Sequence, residues 1–132
     1  MQALPLRLEP GRDLRAALES LLEEHGATAA FVLQAIGSLS TARIRFAGMP
    51  QGHELHGDME ILTLGGSLSP DGAHLHISVA DALGRVTGGH VEYGCMVRTT
   101  AEILVALLPA ARFSREVDPL SGYKELVVGK AD

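Results

Sequence analysis

Alternation of apolar and polar positions opens the chain: Leu4, Leu6 and Leu8 are separated by polar or proline positions, which predicts a half-buried strand. Pro5 restricts that strand to an edge or a strand start. The period then changes. Asp13 offers a helix N-cap, and Leu14, Ala17, Leu18, Leu21 and Leu22 recur at helical spacing until Gly26 supplies a stop. Ala29 to Ile36 is a nearly continuous apolar run, and after Gly37-Ser38 a second run (Ala42, Ile44, Phe46) alternates with Arg43 and Arg45; both predict strands. The Gly-rich, polar stretch from Gly48 to Gly57, with Pro50, His53 and His56, reads as a loop.

Met59 to Leu68 predicts a strand interrupted by Gly65-Gly66. Ser69-Pro70-Asp71-Gly72 has the turn chemistry to close a hairpin onto a return strand, Ala73 to Asp81. Gly88, Gly89 and Gly94 surround His90, a pattern expected of a tight backbone crossing or bulge. Thr99-Thr100-Ala101-Glu102 has capping-box spacing. With Ile103, Leu104, Leu107 and Leu108 on one face and Pro109 as a stop, it predicts a second helix. Phe113, Val117, Tyr123, Leu126 and Val128, around Pro119-Leu120-Ser121-Gly122, predict two closing strands. Two helices set among strands that turn back on themselves predict an α+β fold with a mostly antiparallel sheet.

At 132 residues the chain is expected to form one domain, residues 1–132. Its 46% hydrophobic and 20% charged content supports a packed core, built mainly from aliphatic side chains because there are three Phe, two Tyr and no Trp. A formal charge of −5 with no basic cluster argues against nucleic-acid binding by the isolated chain. No apolar run approaches the ~20 residues of a membrane span, and the first residues do not resemble a secretory leader. The lone Cys95 excludes an internal disulfide and suits a reducing compartment, so the expected location is the cytoplasm.

Candidate chemistry centres on His74-Leu75-His76-Ile77-Ser78-Val79. In a strand, Leu75, Ile77 and Val79 share one face while His74, His76 and Ser78 share the other. Two imidazoles at i and i+2 can converge on one metal ion, and His90, beside Gly88-Gly89, is the candidate third ligand. Asp81, Glu60 and Glu92 are candidate carboxylates for fixing an imidazole tautomer. The plainer alternative is a polar, hydrogen-bonded strand face. His53 and His56 read as loop surface, and His25 as a helix C-terminal residue. Cys95, in an apolar stretch with Met96 and Val97, reads as a buried inert thiol. Arg43 and Arg45 share one strand face; solvation is its default role, and lining an anionic ligand site is the alternative. Nucleophile elbow, phosphate loop and dinucleotide fingerprints are absent.

Taken in order, Ile36-Gly37-Ser38-Leu39-Ser40, Glu60-Ile61-Leu62, His74-Leu75-His76 with Asp81, Gly88-Gly89-His90 and Thr99-Thr100-Ala101-Glu102 resemble the PPC (plants and prokaryotes conserved) domain family, prokaryotic stand-alone type. The resemblance implies a homotrimer and, in prokaryotic members, a metal at the histidine cluster. Met59, Leu62 and Leu64, on strands that cannot all face one core, are a physical hint of apolar surface in need of a partner. In plants the domain follows an AT-hook, Arg-Gly-Arg-Pro, which this sequence lacks. The plant partner-binding segment Gly-Arg-Phe-Glu-Ile-Leu is here Gly57-Asp58-Met59-Glu60-Ile61-Leu62, with a reversed charge and a lost aromatic. The fold also resembles that of acetolactate decarboxylase, a zinc enzyme, which implies only that such an architecture can host metal chemistry.

The leading expectation is a homotrimeric domain holding one divalent metal, zinc by preference, through His74, His76 and His90. An open position would remain for a small anionic ligand, with Glu60 as general acid or base if the domain is catalytic. The alternative is a DNA-associated or protein-association regulatory module without bound metal.

Overall fold

Period-two burial governs most of the molecule: 62% of the residues are in strands, and helical periodicity survives in one segment. The computed structural model describes all residues, Met1–Asp132. In chain order the elements are β1 (Gln2–Leu8), α1 (Leu14–Glu24), β2 (Ala30–Arg45), β3 (His53–Ser69), β4 (Gly72–Ala80), β5 (Val86–Val91), β6 (Met96–Leu107), β7 (Ala111–Val117) and β8 (Lys124–Lys130). The first six strands by position form an antiparallel sheet ordered β1-β6-β2-β3-β4-β5. The sheet curls until β5 also pairs the end of β2, Ile44 opposite Val91 and Arg45 opposite His90. β7 and β8 form a separate hairpin.

One face of the sheet carries the core, a cluster of 26 buried residues. Leu14, Ala17, Leu18, Leu21 and Leu22 of α1 pack there with Leu64, Leu68, Leu75 and Ile77 from β3 and β4. The helix starts where expected, with Asp13 Oδ1 accepting the Ala16 N–H at 3.0 Å. It ends before Gly26, whose φ of +60° is the left-handed conformation glycine adopts freely.

Several expectations are corrected. The segment from Thr99 is not a helix but the middle of β6, between β1 and β2. Ala101, Ile103 and Val105 are buried while Arg98, Glu102 and Leu104 are exposed, so the governing period is two. Branched Val97, Thr99, Thr100, Ile103 and Val105 favour that state. The Thr99 hydroxyl, expected to cap a helix, instead pairs with the Ser38 hydroxyl at 2.6 Å across the sheet. Gly37-Ser38 does not separate two strands, because β2 runs unbroken through it. A Cβ on Gly37 would lie 2.3 Å from the Thr100 carbonyl oxygen, so this glycine permits a close strand crossing rather than a turn. Likewise β3 passes through Gly65-Gly66 without interruption and begins at His53, which shortens the expected loop. The hairpin turn at Pro70-Asp71 and the two closing strands stand as expected.

Candidate metal centre

Burial alternates along β4 as the pattern of its residues requires: Leu75, Ile77 and Val79 enter the core, leaving His74 and His76 on the opposite face. Register supplies the third imidazole. His76 stands opposite His90 of β5, and His90 stands opposite Arg45 of β2, so Arg45, His90 and His76 form one row across three strands. The glycines before His90 make this possible. A Cβ on Gly88 would meet the Ile77 carbonyl oxygen at 2.8 Å, and one on Gly89 would meet the Arg45 carbonyl oxygen at 2.6 Å. Only bare backbone allows β5 to close against β4 and β2 together.

The three rings are mutual neighbours. Centroids of His76 and His90 lie 4.6 Å apart with planes at 85°, those of His74 and His76 lie 5.0 Å apart at 86°, and His74 stacks on His90 at 5.5 Å. One ring nitrogen from each residue lies within 4.8 Å of the others. Tetrahedral zinc with Zn–N near 2.05 Å needs nitrogens roughly 3.4 Å apart, so small side-chain rotations suffice to close the set on one ion. Burial, then the neighbouring Arg115 guanidinium and the other two imidazoles, hold His74 below the ordinary histidine range, opposed by Glu125. Burial and then Arg45 and His76 do the same to His90, opposed by Glu92. Both rings therefore favour the neutral form, the one that can ligate a metal.

The β7–β8 hairpin forms one wall of this site. Phe113 packs edge-on against Phe31 of β2 with ring centroids 5.6 Å apart, seating the hairpin on the histidine face of the sheet. Arg115 then reaches Ser67, donating from Nη2 to Oγ at 2.5 Å, and Ser67 stands directly opposite His74. Arg45, His74, His90, Arg115, Lys124 and Glu125 share the lining of one concavity of about 800 Å³. Nothing local in the sequence around Arg115, Lys124 or Glu125 marks them, since they meet His74 only through the seating of the hairpin.

Other candidates are placed elsewhere. Asp81 closes its own turn, accepting the Leu83 and Arg85 N–H groups and pairing with the Arg85 guanidinium, so it does not orient an imidazole. Those bonds, led by the Arg85 N–H, hold its carboxyl below the usual range. Glu60 stands opposite Ala80, four positions along β4 from His76 and so ~13 Å away at ~3.3 Å per residue. It lines a different hollow with Asp58, Arg98 and Ile36. Glu92 pairs with Arg43 at 3.4 Å, which gives Arg43 a structural role. His53 and His56 are exposed, on β3 rather than a loop, and His25 bonds the Leu21 carbonyl at the helix end. Cys95 is fully buried, and burial raises its thiol to about 11.

The sequence profile of the Plants and Prokaryotes Conserved (PCC) domain matches residues 1–109. The chain belongs to this family. Two proteins named bifunctional protein GlmU, both from Synechococcus, are 52% and 49% identical to this domain over 126 and 130 residues, or 96% and 98% of the chain. The chain spans only about a fifth of their length, 20% and 21%. Among solved structures, a hypothetical protein from Salmonella cholerae-suis is 37% identical with a TM-score of 0.94, covering 98% of this chain and 94% of its own. A metal-containing protein from Archaeoglobus fulgidus is 29% identical with a TM-score of 0.81, covering 96% and 94%. A protein from Ralstonia eutropha named as a candidate DNA-binding protein is 26% identical with a TM-score of 0.75, covering 93% and 89%.

Proposed function

We propose that this PCC domain is a metal-binding domain in which His74, His76 and His90 hold one divalent ion, zinc by preference, with a coordination position left open. The observation that carries the reading is the convergence of three imidazoles from two strands, with ring nitrogens within 4.8 Å of one another. The metal-containing Archaeoglobus relative supports it. When bound, such an ion supplies Lewis acidity and lowers the pKa of a bound water. The chain's contribution is to hold two ligands on the rigid β4 scaffold and to present the third from β5.

Elemental analysis of protein purified without a histidine tag or a nickel column is the direct test. One equivalent of metal per chain is expected. His76→Ala should abolish it while the domain stays folded, because Leu75, Ile77 and Val79 still fill the core. His53→Ala should leave it unchanged. Metal-free wild type that takes up no zinc, nickel or cobalt in calorimetry near neutral pH would overturn the assignment.

The proposal extends to a homotrimer acting in the cytoplasm. Ile36, Leu62 and Leu104 are 54%, 40% and 40% exposed on a sheet face that has no helix over it. A second reading, association with DNA, is favoured by the name of the Ralstonia relative. The chain's charge of −5 weighs against it, since affinity for phosphates comes largely from Lys and Arg releasing counterions. A tight gel shift that weakens steeply with salt would reinstate it.

A further inference from the structure

Two guanidiniums approach the histidine cluster from opposite chain segments. Arg45 lies in the same cross-strand row as His90 and His76. Arg115 comes from the β7–β8 hairpin and is anchored to Ser67, opposite His74. Each keeps donors in reserve. Arg45 gives Nη1 to the Met49 carbonyl at 3.3 Å, and Arg115 gives Nη2 to Ser67, while its backbone N–H goes to Asp71 Oδ2 at 2.9 Å. Neither guanidinium is among the chain's ion pairs, which use Arg15, Arg43, Arg85, Arg98 and His56. Half-buried arginines without carboxylate partners, lining one concavity with two imidazoles, form a fork suited to oxygen anions.

Charge in the concavity points the same way. Arg45, Arg115 and Lys124 face Glu125 and Asp71, and Asp71 is already engaged by the Arg115 backbone. A divalent ion on three neutral imidazoles adds further positive charge.

Resting on the metal-centre reading, we infer that the open coordination position takes a small oxyanion, a carboxylate or a phosphate, whose oxygens are held by Arg45 and Arg115. The metal would bind one oxygen, and the two guanidiniums would donate to the others. Single-point charge attraction would not need this arrangement; a fork on each side of the ligand selects planar or tetrahedral oxygen anions over halides.

Cobalt-loaded chain provides the test, because the visible absorption of cobalt(II) reports its coordination sphere. Succinate and inorganic phosphate, titrated separately, should produce a saturable spectral change, and their relative affinities will identify carboxylate or phosphate as the preferred class. Arg45→Gln and Arg115→Gln should each weaken binding at least tenfold while cobalt stoichiometry stays at one. Arg12→Gln, an exposed residue removing the same charge elsewhere, should leave the affinity unchanged. Cobalt bound with no anion-dependent spectrum, or with Arg12→Gln as damaging as the other two, would overturn the oxyanion site and leave the metal centre standing. Failure to take up cobalt would instead overturn the metal reading and this inference with it.

Discussion

At the scale of single residues, protonation is the property most open to measurement. His74 and His90 are held below the ordinary histidine pKa of ~6.5, first by burial and then by Arg115 and Arg45 respectively. Between ~6.5 and the lowered native values, the unfolded chain therefore binds protons that the native chain does not. Stability of the metal-free domain should consequently be greatest above ~6.5 and fall on acidification, levelling once the native imidazoles are also protonated. Urea midpoints measured from pH 7.5 to 5.5 should show this slope, and His74→Gln should reduce it; an equal slope in both proteins would refute the linkage. Cys95 behaves oppositely, since burial keeps its thiol protonated and unreactive in the folded chain.

At the scale of elements, α1 and β5 show how short-range chemistry positions long-range contacts. Asp13 caps α1 through Oδ1, while its Oδ2 accepts the Gly94 N–H at 2.7 Å, tying the helix start to the turn after β5. Removing both bonds with Asp13→Ala should lower stability by ~1–2 kcal/mol. Asp13→Asn keeps the capping oxygen but turns an NH2 toward the Gly94 N–H, so it should recover only the share of the helix cap. Chemical denaturation distinguishes the cases, and an Ala variant as stable as wild type would show that the cap is dispensable. Gly88 and Gly89 serve the histidine cluster more directly, because any side chain there would push β5 away from β4 or β2. Their place beside His90 was visible in the sequence, and the close crossing expected of them is present.

For the whole molecule, the proposed trimer makes the plainest prediction. Ile36, Leu62 and Leu104 leave apolar surface on a β2–β3–β6 face, whereas Met59 and Leu64 are buried within the chain. Light scattering at micromolar concentration should give three times the 13.9 kDa chain mass, and Leu104→Asp should shift it toward monomer. The monomer mass for wild type would end the trimer reading. The −5 charge belongs to this scale too, since it describes the field of the whole chain rather than any one site. That field is uneven: at the histidine concavity of this acidic protein the cations Arg45, Arg115 and Lys124 outnumber the carboxylates Asp71 and Glu125.

Local physical chemistry made α1, the β3–β4 turn and the two-faced His74–Val79 strand legible in the sequence. A cap at Asp13, a glycine stop at Gly26, turn residues at Pro70-Asp71 and strict alternation in β4 each act within a few neighbouring residues. Interactions between distant segments decided the rest. The 99–108 segment satisfies a capping-box and helical template, yet β1 and β2 flank it and bond its backbone on both sides, so it becomes β6. Glu60 and Asp81 carry the right chemistry for the site, but register sets Glu60 well along the sheet, and a turn occupies Asp81. Arg115 carries no local sign of its position. It meets His74 only because Phe113 seats the hairpin against Phe31, a packing event that couples residues 82 positions apart and that no sequence period encodes.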